Sequence, residues 1–351
     1  MLLTLSIKLS KHFNLIVYII RNLYPWLVPY FVGIFLVILV YKSPVAFVVS
    51  AIFAFLIYLF LSIFFYKDKL ISLYSFQVYS SLTFWIGIAS LYGLDRHGGD
   101  VLQIYSLATN GYGALLPSTS LNLENGSYYT NFSISDLLLL ENGVALAIFK
   151  FTYDAFSFIG IFPEYYIGGM LNISLVTISF IFGYKIISLM SPITPKHIFW
   201  YRNIFLTSGM FILFAVLHLR ESIIQLSIIS LVLFWVAILE NIDKGKVLLI
   251  SILKLALASI ATLITLNFFK FLRIEFYFLP IIIVLSAFFS LLFSNAPRRI
   301  KISLFFIILI GFVFALLSDG LIPTDFYDQL ISDNSELFFI NAFEDYSNAA
   351  L

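Results

Sequence analysis

The sequence predicts an all-α, polytopic integral membrane protein with about nine transmembrane helices, and three observations carry that expectation. Of 351 residues, 61% are hydrophobic and only 11% are charged, against roughly 25% charged in an ordinary soluble chain. The apolar residues gather into runs of about 20, the length an α-helix needs to cross the hydrocarbon core. Those runs are too long and too weakly alternating for barrel strands, and helices or closed barrels are the structures that satisfy every backbone group in lipid.

Apolar runs bounded by charge place spans near 24–40, 44–66, 70–93, 165–190, 203–219, 222–239, 247–269, 274–294 and 302–319, forming one transmembrane domain over 1–351. Orientation follows from Lys and Arg in the short loops. With the N-terminus cytoplasmic, Lys8, Lys11, Arg21, Lys67, Lys69, Lys196, Arg202, Lys244, Lys246, Arg298, Arg299 and Lys301 fall inside. Only Lys42, Arg96, Lys150, Arg220, Lys270 and Arg273 fall outside, a bias of twelve to six that sets the N-terminus cytoplasmic and the C-terminus extracytoplasmic. Lys185 and Lys254 lie within spans near their cytoplasmic ends, where the stems can snorkel. Met1–Lys11 reads as a retained amphipathic lead-in to the first span, since no small-residue cleavage site follows an apolar core.

This topology puts two soluble segments outside: a long loop over 94–164 and an acidic tail over 320–351. The tail carries Asp325, Asp328, Asp333, Glu336, Glu344 and Asp345 without a basic residue. The second half of the loop, Leu137–Ile161, is apolar but interrupted by Glu141, Asn142, Lys150 and Asp154, which predicts one or two amphipathic helices at the membrane surface. Sequons stand at Asn125 and Asn131 in the same loop.

Several function classes are set aside by composition. A formal net charge of +1 and the lack of a basic, aromatic-interleaved module argue against nucleic acid as a partner. The chain has no cysteine, which excludes disulfides, thiolate metal sites and a cysteine nucleophile. His12, His97, His197 and His218 stand far apart without metal-ligand spacing, so no metal is expected. No phosphate-cradling glycine loop occurs, and no cofactor is implied. The 40 Phe and 21 Tyr are read as lipid-facing filling and interfacial belt.

The richest polar cluster is Asp95-Arg96-His97-Gly98-Gly99-Asp100, where the third span leaves the membrane, with Tyr105 five residues on. A carboxylate there is suited to act as a general base or to hold a sugar hydroxyl, and Arg96 or His97 to contact a phosphate. The alternative is a charged helix end closed by a glycine C-cap. The second constellation is His218-Leu219-Arg220-Glu221-Ser222, followed by Gln225, inside the apolar stretch Ile204–Leu239. Charge at such depth costs about 2.5–3.5 kcal/mol per residue on insertion scales and generally faces protein or a water-filled cavity. The guanidinium of Arg220 is a planar fork suited to pyrophosphate. The alternative is a hairpin whose Arg220 and Glu221 reach interface water. Glu141-Asn142-Gly143, Lys150, Asp154, Lys270 and Arg273 are weaker candidates, read first as solvated rim charges.

Three of these pieces, in this order, resemble a family. Gly99-Asp100 with Tyr105, Glu141-Asn142-Gly143, and Leu219-Arg220-Glu221-Ser222 are similar to motifs of the polytopic polysaccharide repeat-unit polymerases of the O-antigen, capsule and exopolysaccharide type. The likeness covers about 93–239. It implies a glycosyltransferase on the extracytoplasmic face of the bacterial inner membrane that joins oligosaccharide units carried on undecaprenyl pyrophosphate, without a metal. Arg220 would then engage the pyrophosphate, with Arg273 and Arg96 as second choices. Asp100 would be the base, with His218 or Glu221 as alternatives, and Asp95, Tyr105 and Glu141 would line the substrate. The implied partners are a polyprenyl-pyrophosphate-linked glycan, membrane lipid and a chain-length regulator. Family members often carry more spans than nine. The reaction suits the layout: a lipid-linked donor brings its leaving group, so the protein must neutralise a pyrophosphate, orient a hydroxyl and supply one base. The rival reading is a flippase or transporter of a lipid-linked sugar or small solute, which predicts discontinuous helices and charge near the midplane. A noncatalytic scaffold is the third.

Overall fold

The computed structural model describes residues 25–65, 68–94, 104–105, 108–109, 143–190, 194–217, 220–243, 248–270, 279–293, 298, 301–302 and 305–306. No strand occurs among them. The helices are α1 (Pro25–Tyr41), α2 (Val45–Phe64), α3 (Lys69–Tyr92), α4 (Gly143–Phe158), α5 (Tyr165–Met190), α6 (Pro195–Thr207), α7 (Gly209–Val216), α8 (Glu221–Asp243), α9 (Leu248–Lys270) and α10 (Leu279–Phe293). Among the described residues, α2, α5 and α8 are long and apolar enough to cross a membrane, and α1, α9 and α10 contain shorter apolar helices. Three such helices in a chain of mean hydropathy +1.02 make this a membrane protein.

Local chemistry sets the helix ends. Asp68 caps α3, its Oδ1 accepting from the Leu70 and Ile71 amides at 3.2 Å each. Gly93, at φ 73°, closes the same helix in the left-handed conformation that glycine adopts without a Cβ clash. The glycine that ends the third span is thus Gly93; Gly98 and Gly99 lie outside the described residues. Thr194 caps α6, with a proline in the first turn, where its missing N–H costs no hydrogen bond.

One compact unit runs to Glu240 and a second holds α9 and α10, which pack on each other. In the first unit α5 is the central helix, in contact with α2, α3, α4, α6 and α7. Its direction is fixed by its partners. Tyr184 donates to Asp68 at the start of α3, whereas Gly169 lies against Ile86 near the end of α3, so α3 and α5 are antiparallel. Ser43 and Tyr166 meet at 3.4 Å and Phe60 and Phe182 at 5.7 Å between ring centroids, so α2 runs parallel to α5. Helix α1 follows α3, and the two cross at Gly33 and Gly87, where a Cβ on Gly87 would stand 2.5 Å from the Gly33 carbonyl oxygen. Backbones approach this closely only over small residues, the usual device of helix pairs in lipid.

Within the expected amphipathic segment 137–161, the described residues form one helix, α4. The expected span 203–219 is two short helices, broken at Ser208, whose φ of −71° and ψ of 110° are extended. Hydropathy is continuous across the break and gives no hint of it. Thr194-Pro195 was the legible mark of a helix beginning earlier.

Candidate functional site

The end of the bundle that holds the start of α5 gathers five tyrosines. Tyr105 is buried, its ring stacked on Tyr165 at 3.8 Å and edge-on to Tyr153 at 5.7 Å. Its hydroxyl donates to the Pro163 carbonyl at 2.8 Å. Tyr41 and Tyr166 meet edge to face at 5.3 Å beside them. Burial, and after it the Glu164 carboxylate, push the Tyr105 phenol above its ordinary range, so it is a hydrogen-bond donor and not a phenolate. Lys150 on α4 is 6% exposed and holds Asp154 at 3.2 Å, one helical turn on. Lys150 is therefore not the solvated rim charge expected of it. Its carboxylate partner is exposed, so an amine facing the protein is balanced from the solvent side.

Seven residues further along α5, about 10 Å of helix, Asn172 is fully buried. Its Nδ2 donates to the Leu217 carbonyl, and its Oδ1 accepts from Ser222 Oγ at 2.6 Å. One side chain thus clamps both sides of the turn between α7 and α8. This is the turn that carries Arg220 and Glu221. Arg220 is half-buried, and its carbonyl accepts from the Ile223 and Ile224 amides at 3.0 and 3.1 Å, which starts α8. Glu221 sits in the first turn of that helix, where the helix dipole favours a carboxylate, and its Oε2 is buried. One turn deeper, both polar atoms of Gln225 are buried without a hydrogen-bond partner among the described residues, an arrangement that costs free energy unless a water or ligand completes it.

An apolar cleft of about 300 Å³ leads to this turn. It runs between α3 and α7, lined by Trp85, Ala89 and Leu94 on one side and Gly209, Leu213 and Leu217 on the other. Leu217 belongs both to the cleft and to the Asn172 clamp.

Of the first sequence motif Tyr105 packs at the start of α5, and of the third Ser222 bonds to Asn172 further along the same helix. Asp95, Arg96, His97, Asp100, Glu141, His218 and Arg273 lie outside the described residues, as do Met1–Lys11, the sequons, the tail over 320–351 and most of the expected span 302–319. Among the described residues no three His, Asp or Glu side chains cluster as a metal ion would need. Sequence reasoning gave no role to Asn172, Gln225 or the cleft. An asparagine isolated in an apolar helix was the available mark for the first. Set against known proteins, the chain matches no family model, no curated protein and no solved structure.

Proposed function

We propose that this chain spans the bacterial inner membrane about nine times, N-terminus cytoplasmic and C-terminus extracytoplasmic, and polymerises polyprenyl-pyrophosphate-linked oligosaccharide units on the extracytoplasmic face. The observation that carries the reading is an apolar cleft ending at a clamped turn that bears an arginine. Cleft and turn match the two halves of a lipid-linked donor: an isoprenoid chain against Leu213 and Leu217, and a pyrophosphate against Arg220. Gln225, whose buried amide has no partner among the described residues, is suited to hold a hydroxyl below Glu221. In the reaction an acceptor hydroxyl attacks the anomeric carbon of the donor sugar, and the bond to the pyrophosphate oxygen breaks. The leaving pyrophosphate is neutralised by Arg220. The hydroxyl proton passes to a carboxylate or imidazole, Asp100 first and His218 or Glu221 as alternatives.

The test is a glycan ladder from cells lacking the gene and complemented with variants. Arg220→Ala abolishes polymer while protein level and lipid-linked single units persist. Arg220→Lys retains part of the activity, because charge survives and the fork does not. Asp100→Asn accumulates the same single units. Polymer of normal length and rate from a stably expressed Arg220→Ala protein overturns the reading. The break at Ser208 favours a second one, a flippase for the same lipid-linked units, because interrupted helices mark transport pathways. Loss of single units from the outer face, in place of their accumulation there, decides for the flippase.

A further inference from the structure

At the other end of the same unit, the Arg202 guanidinium is enclosed in a way its position in the sequence does not announce. It stands over three rings, Phe199 at 4.7 Å, Tyr74 at 5.2 Å and Trp26 at 5.8 Å. Its Nη1 donates to Gln77 Oε1 at 2.6 Å, and Nε and Nη2 donate to Asn203 Oδ1 at 3.2 and 2.8 Å. Every acceptor is a neutral amide. A guanidinium carries five N–H donors, so two remain without an acceptor among the described residues. Among the described residues no carboxylate lies within ion-pair distance of Arg202. The rings orient the cation through their π-faces but do not neutralise it. The result is a fixed, half-buried positive charge, part of whose fork meets no acceptor among the described residues.

The surroundings say what kind of anion reaches it. Helix α6 has 13 residues, about 20 Å, too short to cross a bilayer. It exposes Trp200 at 65%, Ile204 at 55% and Phe199 at 43%, together with Lys196 and His197. Aromatic side chains beside cations are the pattern of a helix at headgroup level, rings among acyl chains and charges among phosphates. We propose that Arg202 is a binding site for the phosphate of an anionic phospholipid headgroup, with Phe199 and Trp200 against the acyl region and Lys196 at the rim. The headgroup phosphate accepts from the two remaining guanidinium donors. Lipid bound there ties α1, α3 and α6 together, because Trp26, Tyr74, Gln77 and Phe199 already hold the cation from those three helices.

The experiment uses the full chain, delipidated in neutral detergent, with its thermal unfolding midpoint followed as phosphatidylglycerol, phosphatidylcholine or inorganic phosphate is added. Phosphatidylglycerol is expected to raise the midpoint saturably, and the other two to leave it unchanged. Arg202→Gln removes the increment. Arg202→Lys, the variant that decides if Arg202→Gln is not recovered folded, shifts half-saturation to about tenfold more lipid, the worth of one charge-assisted hydrogen bond. Lys196→Gln keeps most of the increment. Phosphatidylcholine acting as well as phosphatidylglycerol, an undiminished response in Arg202→Lys, or a loss in Lys196→Gln equal to that in Arg202→Lys overturns the proposal. Inorganic phosphate reproducing the full increment overturns the lipid as the source of the anion.

Discussion

Asn172 offers the sharpest test of how the Arg220 turn is held. The side chain is fully buried and makes two hydrogen bonds to partners 45 and 50 residues away, the Leu217 carbonyl and the Ser222 hydroxyl. Hydrogen bonds between helices in lipid contribute about 0.6 kcal/mol on average and up to about 1.7 kcal/mol. Asn172→Ala removes both, so its cost is expected to lie at about 1–3 kcal/mol. Ser222→Ala removes one, at a cost of about 1 kcal/mol. The double variant is expected to fall short of additivity by about 0.6–1.7 kcal/mol, the worth of the shared bond. The measurement is a double-mutant cycle on protein in bicelles, unfolded with dodecyl sulfate and followed by tryptophan fluorescence. Additive single variants, or a cost below about 0.5 kcal/mol for Asn172→Ala, would refute the clamp.

Three further outcomes follow from other parts of the fold. Single cysteines at Gly111, Ser127 and Ser335, in a chain that has none of its own, are expected to react with an impermeant maleimide from outside the cytoplasmic membrane. One at Gly245 is not; the reverse pattern overturns the orientation. Gly33→Leu drives a side chain into the Thr83 carbonyl and is expected to cost about 3 kcal/mol or more, seen as lost monodisperse protein in size-exclusion chromatography. Tyr105, with its phenol raised above 10.0 first by burial and then by Glu164, favours the neutral form in the fold. That contribution is fully present below about pH 10 and is lost as pH rises toward the folded value. Tyr105→Phe is therefore expected to cost about 1 kcal/mol at neutral pH through the bond to Pro163. It is also expected to flatten the fall of the unfolding midpoint above about pH 10; an identical fall in both proteins counts against the buried phenol.

What the sequence determined by itself is the helical membrane character and the approximate places of the helices. Apolar length is a local property, and lipid leaves the backbone no other way to satisfy its groups along one segment. The runs over 44–66, 165–190 and 222–239 correspond to α2, α5 and α8 for that reason. Helix ends carry local marks as well, which hydropathy leaves unread: Asp68, Gly93 and Thr194-Pro195 act through neighbours two to four residues away. Only the tertiary structure decided which polar side chains face the bundle. Lys150 and Asp154 form the same i, i+4 pair whichever way α4 turns, and packing against α5 buried the cation and left the carboxylate in solvent. Asn172 finds its partners at the end of α7 and on α8, and Arg202 finds Gln77 across 125 residues. The interruption at Ser208 leaves hydropathy unchanged, so it was hidden from the sequence for the same reason. Periodicity tells which residues leave water, and the partner each one meets is set by chain segments far apart in sequence.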